Sequence, residues 1–350
     1  MKKLLCLLLA LTMLLCFSAC EKIPDPEAPE EPKQVVLLCE PVNQNPFLTD
    51  MVRTLEEILN ETQAIAEYTV VEGESAEDLE AAALAQIQEG CDLLMMVGQQ
   101  YAETMSHVAE QYPEGATYVM LDGICDNENV GSYIFKEEEL AYLTGIVAAS
   151  VGTAEEQPRG PFGSIHVHQD QNSFAWRWGY MEGARSVIPE LVMDDFIFAY
   201  TKSYTDEKVS RELAKDLAER GCTFINSHAN AADKGVFKAA KAKGFYVSAA
   251  ESPLTAQEPL HLLMTQVKHG SVIMRRVLED FLHDDINLKT TRLGLKEDAL
   301  NLVFAQEDLN TAPEDVVLTP EILTNVQGAA EKIKSGKLKL SVPQEEDYSF

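Results

Sequence analysis

The chain has 350 residues, with 28 Lys and Arg against 57 Asp and Glu, so its net charge is −29. This charge argues against a nucleic-acid-binding protein, because phosphate contacts need clustered basic residues. Hydrophobic residues make up 46% of the chain, which is enough for a large core, and the length corresponds to about two domains.

The first twenty residues have the pattern of an export signal that ends in a lipid attachment site. Residues 1–3 are Met-Lys-Lys, and residues 4–17 form an apolar run that only Thr12 interrupts. A membrane-spanning helix needs about 20 apolar residues, so the run predicts a signal peptide over residues 1–19. The small residues before Cys20 resemble a bacterial lipobox, in which this cysteine is diacylated and becomes the mature N-terminus. The alternative is ordinary cleavage that leaves Cys20 free.

Residues 20–33 are predicted to form a stiff acidic tether. The segment from Glu21 to Lys33 contains four prolines and five acidic residues and shows no apolar periodicity. Such a composition cannot bury enough apolar surface to fold, and its prolines favour an extended chain. We therefore expect a lipid-anchored protein on the extracytoplasmic face of the cell membrane, facing the periplasm if the host is Gram-negative.

Beyond the tether, short apolar runs alternate with longer stretches of helical period. The runs predict strands at residues 35–39, 68–71, 93–97, 118–121, 132–135, 164–167, 196–200, 223–226 and 246–250. The stretches between them predict helices at residues 47–60, 76–89, 102–112, 137–151, 174–188, 208–220 and 234–243. Strict alternation of strand and helix implies parallel sheets that are covered on both faces.

Three of the predicted helices stop at a glycine and re-enter a strand at once. These glycines are Gly90, Gly221 and Gly244. Glycine tolerates the left-handed conformation that ends a helix, so the recurrence predicts helix-to-strand turns. At the opposite end of one such unit, Ser75 followed by Asp78 resembles a capping box.

The number of strands favours two lobes. About nine strands precede residue 251, and further apolar runs occur at residues 260–267 and 291–295, which suits two doubly wound lobes better than one sheet. Ligands of such sheets bind beyond the carboxyl ends of the strands, so two facing lobes share one interlobe cleft. This arrangement indicates a receptor that closes around a solute. The predicted N-lobe and C-lobe consist, respectively, of residues 34–134 with 252–289 and of residues 135–251 with 290–350.

Four cysteines follow the predicted signal and lipid attachment site. Seven cysteines in the whole chain are too sparse for a small disulfide scaffold. Each of the four adjoins an apolar run, so buried free thiols are favoured over two disulfides, and no catalytic thiol is predicted. The four are Cys39, Cys91, Cys125 and Cys222.

Several polar and aromatic residues have both a structural and a functional interpretation. The acidic run 137–139 is expected to be solvated surface. His166 and His168, with Asp170 nearby, are a possible zinc ligand set, but no further Cys or His completes it and simple packing is favoured. Trp176 begins a helix that should cover the sheet, so core packing is preferred to a place in the cleft wall.

A set of strings along the chain occurs together, in the same order, in one known family. The most specific is ENVGSYIFKEEE at residues 128–139, followed by AYLTG at residues 141–145. The set resembles the basic membrane protein family, the nucleoside-binding lipoproteins of ABC transporters that are also called purine nucleoside receptor-like proteins. Further matches lie at residues 92–98, 200–206, 235–240, 266–268 and 293–296.

The resemblance implies a type I periplasmic-binding fold: an α/β protein with two doubly wound parallel-sheet lobes, a hinge and an interlobe cleft. It also implies a nucleoside in that cleft, with aromatic rings on its base and acids and a lysine on its ribose. Carried over by position, Phe47 and Tyr204 stack on the base. Glu251 and Lys268 contact the ribose. Strand-end and loop residues complete the predicted ligand-binding set: Glu40, Asn45, Asp122 and His228.

The chain departs from the family pattern around the expected ligand. The loop at residues 41–46 is shorter and lacks the usual glycine pair. Glu40 and Glu251 stand where the family has Asp, and residues 166–172 replace a glycine-rich loop. The loop at residues 228–231 also lacks its usual glycines. These departures concern the identity of the ligand more than the fold.

Each predicted contact has a structural alternative. Phe47 begins a helix and belongs equally well to the core, and Tyr204 precedes a helix cap and is compatible with an exposed position. Glu251 and Lys268 are compatible with a hinge ion pair. The strand-end acids, Glu40 and Asp122, are compatible with helix capping.

No enzyme is predicted. The sequence contains no phosphate-binding loop, nucleophile elbow or His-Glu-x-x-His motif. A carboxylate pair of Glu40 and Glu251 for glycoside cleavage is the remaining enzymatic alternative.

The predicted function is that of a solute-binding lipoprotein of an ABC importer, which captures nucleosides or related small molecules and docks on permease subunits. We expect a monomer without cofactor or metal, and the acids at the strand ends favour a neutral or cationic ligand over a nucleotide. The alternative is a surface lipoprotein that acts in adhesion or signalling through a protein partner.

Overall fold

The computed structural model describes residues 32–62, 64–151, 161–251, 260–305 and 317–344. The predicted signal peptide, Cys20 and the tether up to residue 31 lie outside the described residues. Among the helices of the described part, none is long and apolar enough to cross a membrane.

The first lobe is built on a six-stranded parallel sheet. Its strands are β1 (Lys33–Cys39), β2 (Ile65–Glu72), β3 (Leu93–Val97), β4 (Thr117–Leu121), β5 (Val130–Phe135) and β11 (Thr290–Leu293). They lie in the order β11-β5-β4-β3-β1-β2, and every neighbouring pair is parallel. The helices that follow its strands are α1 (Pro46–Glu61), α2 (Ala76–Glu89) and α3 (Ala102–Gln111), and α8 (Gly270–Leu282) packs on α1.

The second lobe repeats this plan. Its strands are β6 (Phe162–His166), β7 (Phe196–Tyr200), β8 (Phe224–His228), β9 (Tyr246–Glu251), β10 (Leu262–Lys268) and β12 (Leu300–Phe304). Their order is β12-β10-β9-β8-β6-β7, and β12 alone runs antiparallel to its neighbour. The helices of this lobe are α4 (Glu137–Val151), α5 (Gln171–Val187), α6 (Glu207–Glu219), α7 (Asp233–Lys243) and α9 (Pro320–Lys334).

The chain passes between the lobes three times. It leaves the first sheet after β5 and enters α4, it returns from β10 to α8, and it crosses again between β11 and β12. The predicted lobe boundaries differ from this course, because β10 lies in the second sheet and β11 in the first. A single apolar run in the sequence does not show which of the two sheets its strand joins. The predicted assignment of these strands to lobes therefore rests only on their order along the chain.

The local signals that define the predicted helices are confirmed. Gly90, Gly221 and Gly244 all have positive φ at helix-to-strand turns. The Ser75 side chain accepts a hydrogen bond from the backbone N–H of Asp78 at 3.1 Å, which caps α2.

Helices α4 and α5 pack closely against each other in the second lobe. A Cβ atom at Gly179 would lie 2.5 Å from the carbonyl oxygen of Glu138, and one at Gly145 would collide with the backbone of α5. The two helices can therefore approach only because glycines face the contact. Gly145 is the last residue of the AYLTG string, so this part of the family signature is explained by packing.

The four described cysteines are buried and free, as predicted. Burial raises the pKa of the Cys39 and Cys222 thiols to about 12 and that of the Cys91 and Cys125 thiols to about 11. These thiols therefore act as small apolar side chains.

Candidate functional site

A cleft of about 260 Å³ lies between the lobes, where the carboxyl ends of strands from both sheets face each other. Both topological switch points open into it, between β1 and β3 in the first lobe and between β6 and β8 in the second. Glu251 ends β9, and its side chain lies outside the described residues. The other seven residues of the predicted set line the cleft: Glu40, Asn45, Phe47, Asp122, Tyr204, His228 and Lys268.

The start of α1 supplies the first-lobe wall. Asn45 is the N-cap of α1, and its Oδ1 accepts a hydrogen bond from the backbone N–H of Phe47 at 3.0 Å. This cap fixes the first turn and places Phe47 at the cleft edge. Glu40 follows β1 and accepts a hydrogen bond from Gln100 Nε2 at 2.9 Å.

Phe47 is both a core residue and a cleft residue. Its side chain is 4% exposed and contacts the ring of Phe135 edge-on, with centroids 5.8 Å apart. The first residue of α8, Gly270, packs against it, since a Cβ there would lie 2.6 Å from the Phe47 carbonyl oxygen. The position of this ring is therefore set by the packing of α8 on α1.

Lys268 ties the two lobes together at the bottom of the cleft. It ends β10 of the second sheet, yet its Nζ lies 2.8 Å from Oδ2 of Asp122, which follows β4 of the first sheet. The same Nζ lies 3.2 Å from Oε1 of Glu137 and 5.5 Å from the ring centroids of Phe47 and Phe135. The side chain of Glu251, the alternative partner predicted for Lys268, lies outside the described residues.

The acidic run at residues 137–139 is not solvated surface, and that expectation is wrong. Glu137, Glu138 and Glu139 are 5%, 1% and 8% exposed. Each has its own partner: Lys268 for Glu137, the Arg292 guanidinium at 2.8 Å for Glu138, and the backbone N–H of Leu295 at 2.8 Å for Glu139. The sequence pattern of this run is typical of an exposed charged surface, because the three partners lie about 130–156 residues away in the sequence.

The second-lobe wall is aromatic. His166 and His228 are paired residues on the neighbouring strands β6 and β8, and their rings are stacked with centroids 5.3 Å apart and planes within 3°. The indole of Trp176 lies 4.0 Å from the His228 ring. Near the cleft mouth, Tyr204 is 46% exposed and contacts His168 edge-on at 5.7 Å.

A buried polar network fixes the first of these histidines. Ser164 Oγ donates to the carbonyl oxygen of Asn226 at 3.1 Å, and it lies 2.7 Å from His166 Nε2. Which of these two groups donates in the second contact is set by the imidazole tautomer.

The second histidine is fixed in the same way. Asn226 Oδ1 accepts from Ser248 Oγ at 2.8 Å and from Gln266 Nε2 at 2.9 Å, and it lies 3.0 Å from His228 Nε2. His228 Nε2 also lies 3.4 Å from Gln266 Nε2. Nδ1 of both rings is buried and has no hydrogen-bond partner among the described residues.

Both histidines are held in the neutral form. Burial, with a smaller contribution from the charge of Arg177, lowers the pKa of His166 to about 3. Burial also lowers the pKa of His228, and the neighbouring His166 and the charge of Lys268 lower it further. In the described ranges, no group of three or more His, Cys, Asp or Glu residues is arranged to hold a metal ion.

Two residues that line the cleft, Trp176 and Glu137, are absent from the predicted ligand-binding set. Trp176 was assigned to the core, and it is indeed 5% exposed, yet its ring also forms the cleft wall. Glu137 lies two residues beyond β5, and its position after a strand is the signal that could have identified it. Asn226 and Gln266 do not line the cleft but contact His228 from within β8 and β10, and a polar residue inside a buried strand is the signal that could have identified them.

A second cavity of about 660 Å³ adjoins the cleft. Apart from four residues that it shares with the cleft, the wall of this second cavity is largely apolar and includes Ile134, Phe135 and Val342 together with Arg292. The residues that line both cavities are Gln99, Asp122, Glu137 and Asp170.

Two parallel-sheet lobes that share a cleft at their strand ends have the architecture of the type I periplasmic-binding fold. The chain belongs to the Bmp family, the PnrA-like ABC transporter substrate-binding proteins, and the match extends over residues 32–338. The family and the fold are those of solute-binding proteins, which are not enzymes.

The relatives of this chain include proteins named as lipoproteins, as basic membrane proteins and as a nucleoside-binding protein. It is 26% identical over 290 residues to an uncharacterised lipoprotein of Pyrococcus furiosus, with 73% of this chain and 72% of the relative covered. It is 24% identical to basic membrane protein B of Borreliella burgdorferi, with 62% and 64% covered. It is 28% identical over 176 residues to the ABC transporter nucleoside-binding protein BmpA of Lactococcus lactis, with 50% and 48% covered. The matched part therefore spans less than two thirds of the last two proteins.

A solved structure shares the fold. The crystal structure of an ABC transporter system solute-binding protein from Aeropyrum pernix superimposes with a TM-score of 0.71 at 22% identity. The superposition covers 90% of this chain and 95% of that protein.

Proposed function

We propose that this chain is the extracytoplasmic receptor of an ABC importer and that it captures nucleosides between its two lobes. The observation that carries the proposal is the composition of the cleft, where aromatic rings and carboxylates from both lobes meet at the two switch points. The Lactococcus lactis relative, named a nucleoside-binding protein, supports the same ligand class.

The cleft residues match the two parts of a nucleoside. The rings of Phe47, Tyr204 and Trp176 offer apolar faces to a flat base, and base–aromatic stacking contributes about 1–3 kcal/mol per base in nucleic-acid complexes. Carboxylates accept hydrogen bonds from vicinal hydroxyls, a role for Glu40 and Asp122. Micromolar affinity requires about 8 kcal/mol, so stacking and hydroxyl contacts are both needed.

Transport, in this proposal, proceeds by capture, closure and docking. The three chain crossings between the lobes act as the hinge, and closure around the ligand creates the surface that a membrane permease recognises. The receptor acts as a monomer, and the ligand is released chemically unchanged.

We propose that Cys20 carries the lipid anchor. Two acyl chains on this residue would hold the receptor at the membrane, and the acidic tether up to residue 33 would let the lobes reach the permease. Radioactive palmitate should label the chain in a bacterial host, and Cys20→Ala should abolish the label. Equal labelling of the variant would assign the anchor elsewhere.

Thermal shift followed by calorimetry tests the ligand class. A panel of nucleosides, free bases, sugars and amino acids should give stabilisation with at least one nucleoside and weaker effects with its isolated base and ribose. A shift with a sugar or amino acid and with no nucleoside would contradict the proposal.

A further inference from the structure

The described residues that line the cleft carry more negative charges than positive charges. Among the described residues that line it, the carboxylates of Glu40, Asp122, Glu137 and Asp170 face one ammonium group, that of Lys268. Lys268 is bonded to Asp122 and Glu137. The partners of the other two carboxylates are neutral, since Glu40 accepts from Gln100 and Asp170 caps α5 through the backbone N–H of Ser173 at 2.7 Å.

The aromatic wall adds imidazole nitrogens and no positive charge. His166 is 1% exposed, borders the cleft and has an Nδ1 with no hydrogen-bond partner among the described residues. His228 has a second such nitrogen beside the indole of Trp176. A buried polar atom without a partner is costly, so the cleft wall holds two imidazoles whose hydrogen bonding is incomplete.

A neutral base would leave this excess of negative charge unmatched, and a phosphate would be repelled by it. A flat ring with a delocalised positive charge is complementary to the aromatic rings, the carboxylates and the imidazole nitrogens of the cleft. It stacks on Trp176 and Tyr204 as a cation on aromatic faces, it is attracted by Glu40 and Asp170, and its polarised N–H groups are good donors to imidazole nitrogen.

We propose that the preferred ligand is a nucleoside whose base carries a positive charge, namely an N-alkylated or N-ribosylated heteroaromatic ring. The inference rests on the proposed function, because it takes the cleft to be the nucleoside site. It also accounts for the departures from the family pattern, since His166, His228 and Asp170 all lie in or beside the replaced loops.

Two isomeric ligands isolate the charge. N1-methyladenosine is a cation at neutral pH, whereas N6-methyladenosine has the same heavy atoms, lacks the additional proton and is neutral. Calorimetry on the wild-type chain should show the cation binding roughly tenfold more tightly, and the advantage should shrink as salt is raised.

Variants locate the effect. Asp170→Asn keeps a competent helix cap, and Glu40→Gln keeps the acceptor oxygen, so each removes one charge with little change in shape. Each should reduce the preference for the cation by roughly threefold or more. Asp216→Asn, on the exposed face of α6, is the matched control and should leave the preference unchanged.

The outcomes separate the two proposals. Equal or tighter binding of the neutral isomer, or binding of neutral nucleosides alone, overturns the charged-ligand inference while the nucleoside receptor stands. Failure of every nucleoside in the panel, charged or neutral, overturns the proposed function and the inference with it.

Discussion

At the scale of single residues, the two predicted stacking rings differ in what else they do. Phe47 is 4% exposed and packs on Phe135, whereas Tyr204 is 46% exposed and touches His168 near the cleft mouth. Loss of the Phe47 ring therefore disturbs the first-lobe core as well as the cleft. Loss of the Tyr204 ring affects the cleft alone.

Tyr204→Ala should consequently separate binding from stability. We expect its free energy of unfolding to stay within about 0.5 kcal/mol of wild type. Its nucleoside affinity should fall by about 5- to 150-fold, which corresponds to one lost stacking contact. Urea denaturation and calorimetry measure the two quantities. Unchanged affinity would remove Tyr204 from the site.

Phe47→Ala should lower both the nucleoside affinity and the free energy of unfolding, and the latter should fall by about 3–5 kcal/mol. Phe47→Leu is the matched control, because it keeps most of the buried volume and removes only the ring. It should stay folded and still bind more weakly than wild type. Wild-type affinity in the Leu variant would show that Phe47 is a core residue only.

The buried thiols give a prediction about reactivity. With pKa values of about 11–12, roughly one thiol in a thousand or fewer is ionised at pH 8, and burial also blocks access of the reagent. A chain that begins after Cys20 should react with Ellman's reagent only after unfolding, and it should then release four equivalents. Fast labelling of the native protein would contradict the described positions of the cysteines.

At the scale of elements, the start of α4 joins the two lobes through buried acids. The Glu138 side chain is 1% exposed, and its partner Arg292 on β11 is 39% exposed. Burial raises the pKa of Glu138, and the charge of Arg292 opposes that rise. Arg292→Ala should therefore cost about 2–3 kcal/mol at pH 7.5, less than for a fully buried pair because Arg292 is partly solvated.

The pH dependence has a definite sign. Because the folded-state pKa of Glu138 lies above its ordinary value of 4.5, the stability linked to its proton is present below that value and is lost as pH rises through the folded-state pKa. The Arg292→Ala defect should thus shrink toward pH 5, and Glu138→Gln added to it should restore stability at pH 7.5. A double variant as unstable as Arg292→Ala would rule out the buried carboxylate as the cause.

The elements themselves were largely predictable, because strict alternation and glycine terminators are local signals. Helices that end before Gly90, Gly221 and Gly244 follow from backbone sterics alone. The family resemblance selected Glu40 and Asp122, which both lie at strand ends and line the cleft.

What could not be predicted depends on contacts between distant segments. The burial of Glu138 requires Arg292, 154 residues away. The exchange of β10 and β11 between the sheets follows from the hinge crossings, which no local pattern marks. Trp176 was misjudged because a ring can be buried and still form a cleft wall.

At the scale of the whole molecule, the 2.8 Å ion pair of Lys268 and Asp122 crosses the cleft and couples the lobes. A ligand that contacts both walls should close the hinge further, so small-angle scattering should show a smaller radius of gyration at saturation with a bound nucleoside. Phe47→Leu at the same ligand concentration should show less compaction, in proportion to its lower occupancy. Saturation without any change in radius would argue against closure.

The most direct test of the cleft as the nucleoside site is fluorine NMR of the chain labelled with 5-fluorotryptophan. The chain has two tryptophans, and Trp176 lines the cleft whereas Trp178, two residues along α5, does not. Titration with the tightest nucleoside of the panel should shift the Trp176 resonance, assigned with Trp178→Phe, and leave that of Trp178 nearly unchanged. Saturable binding by calorimetry with an unmoved Trp176 resonance would contradict the account.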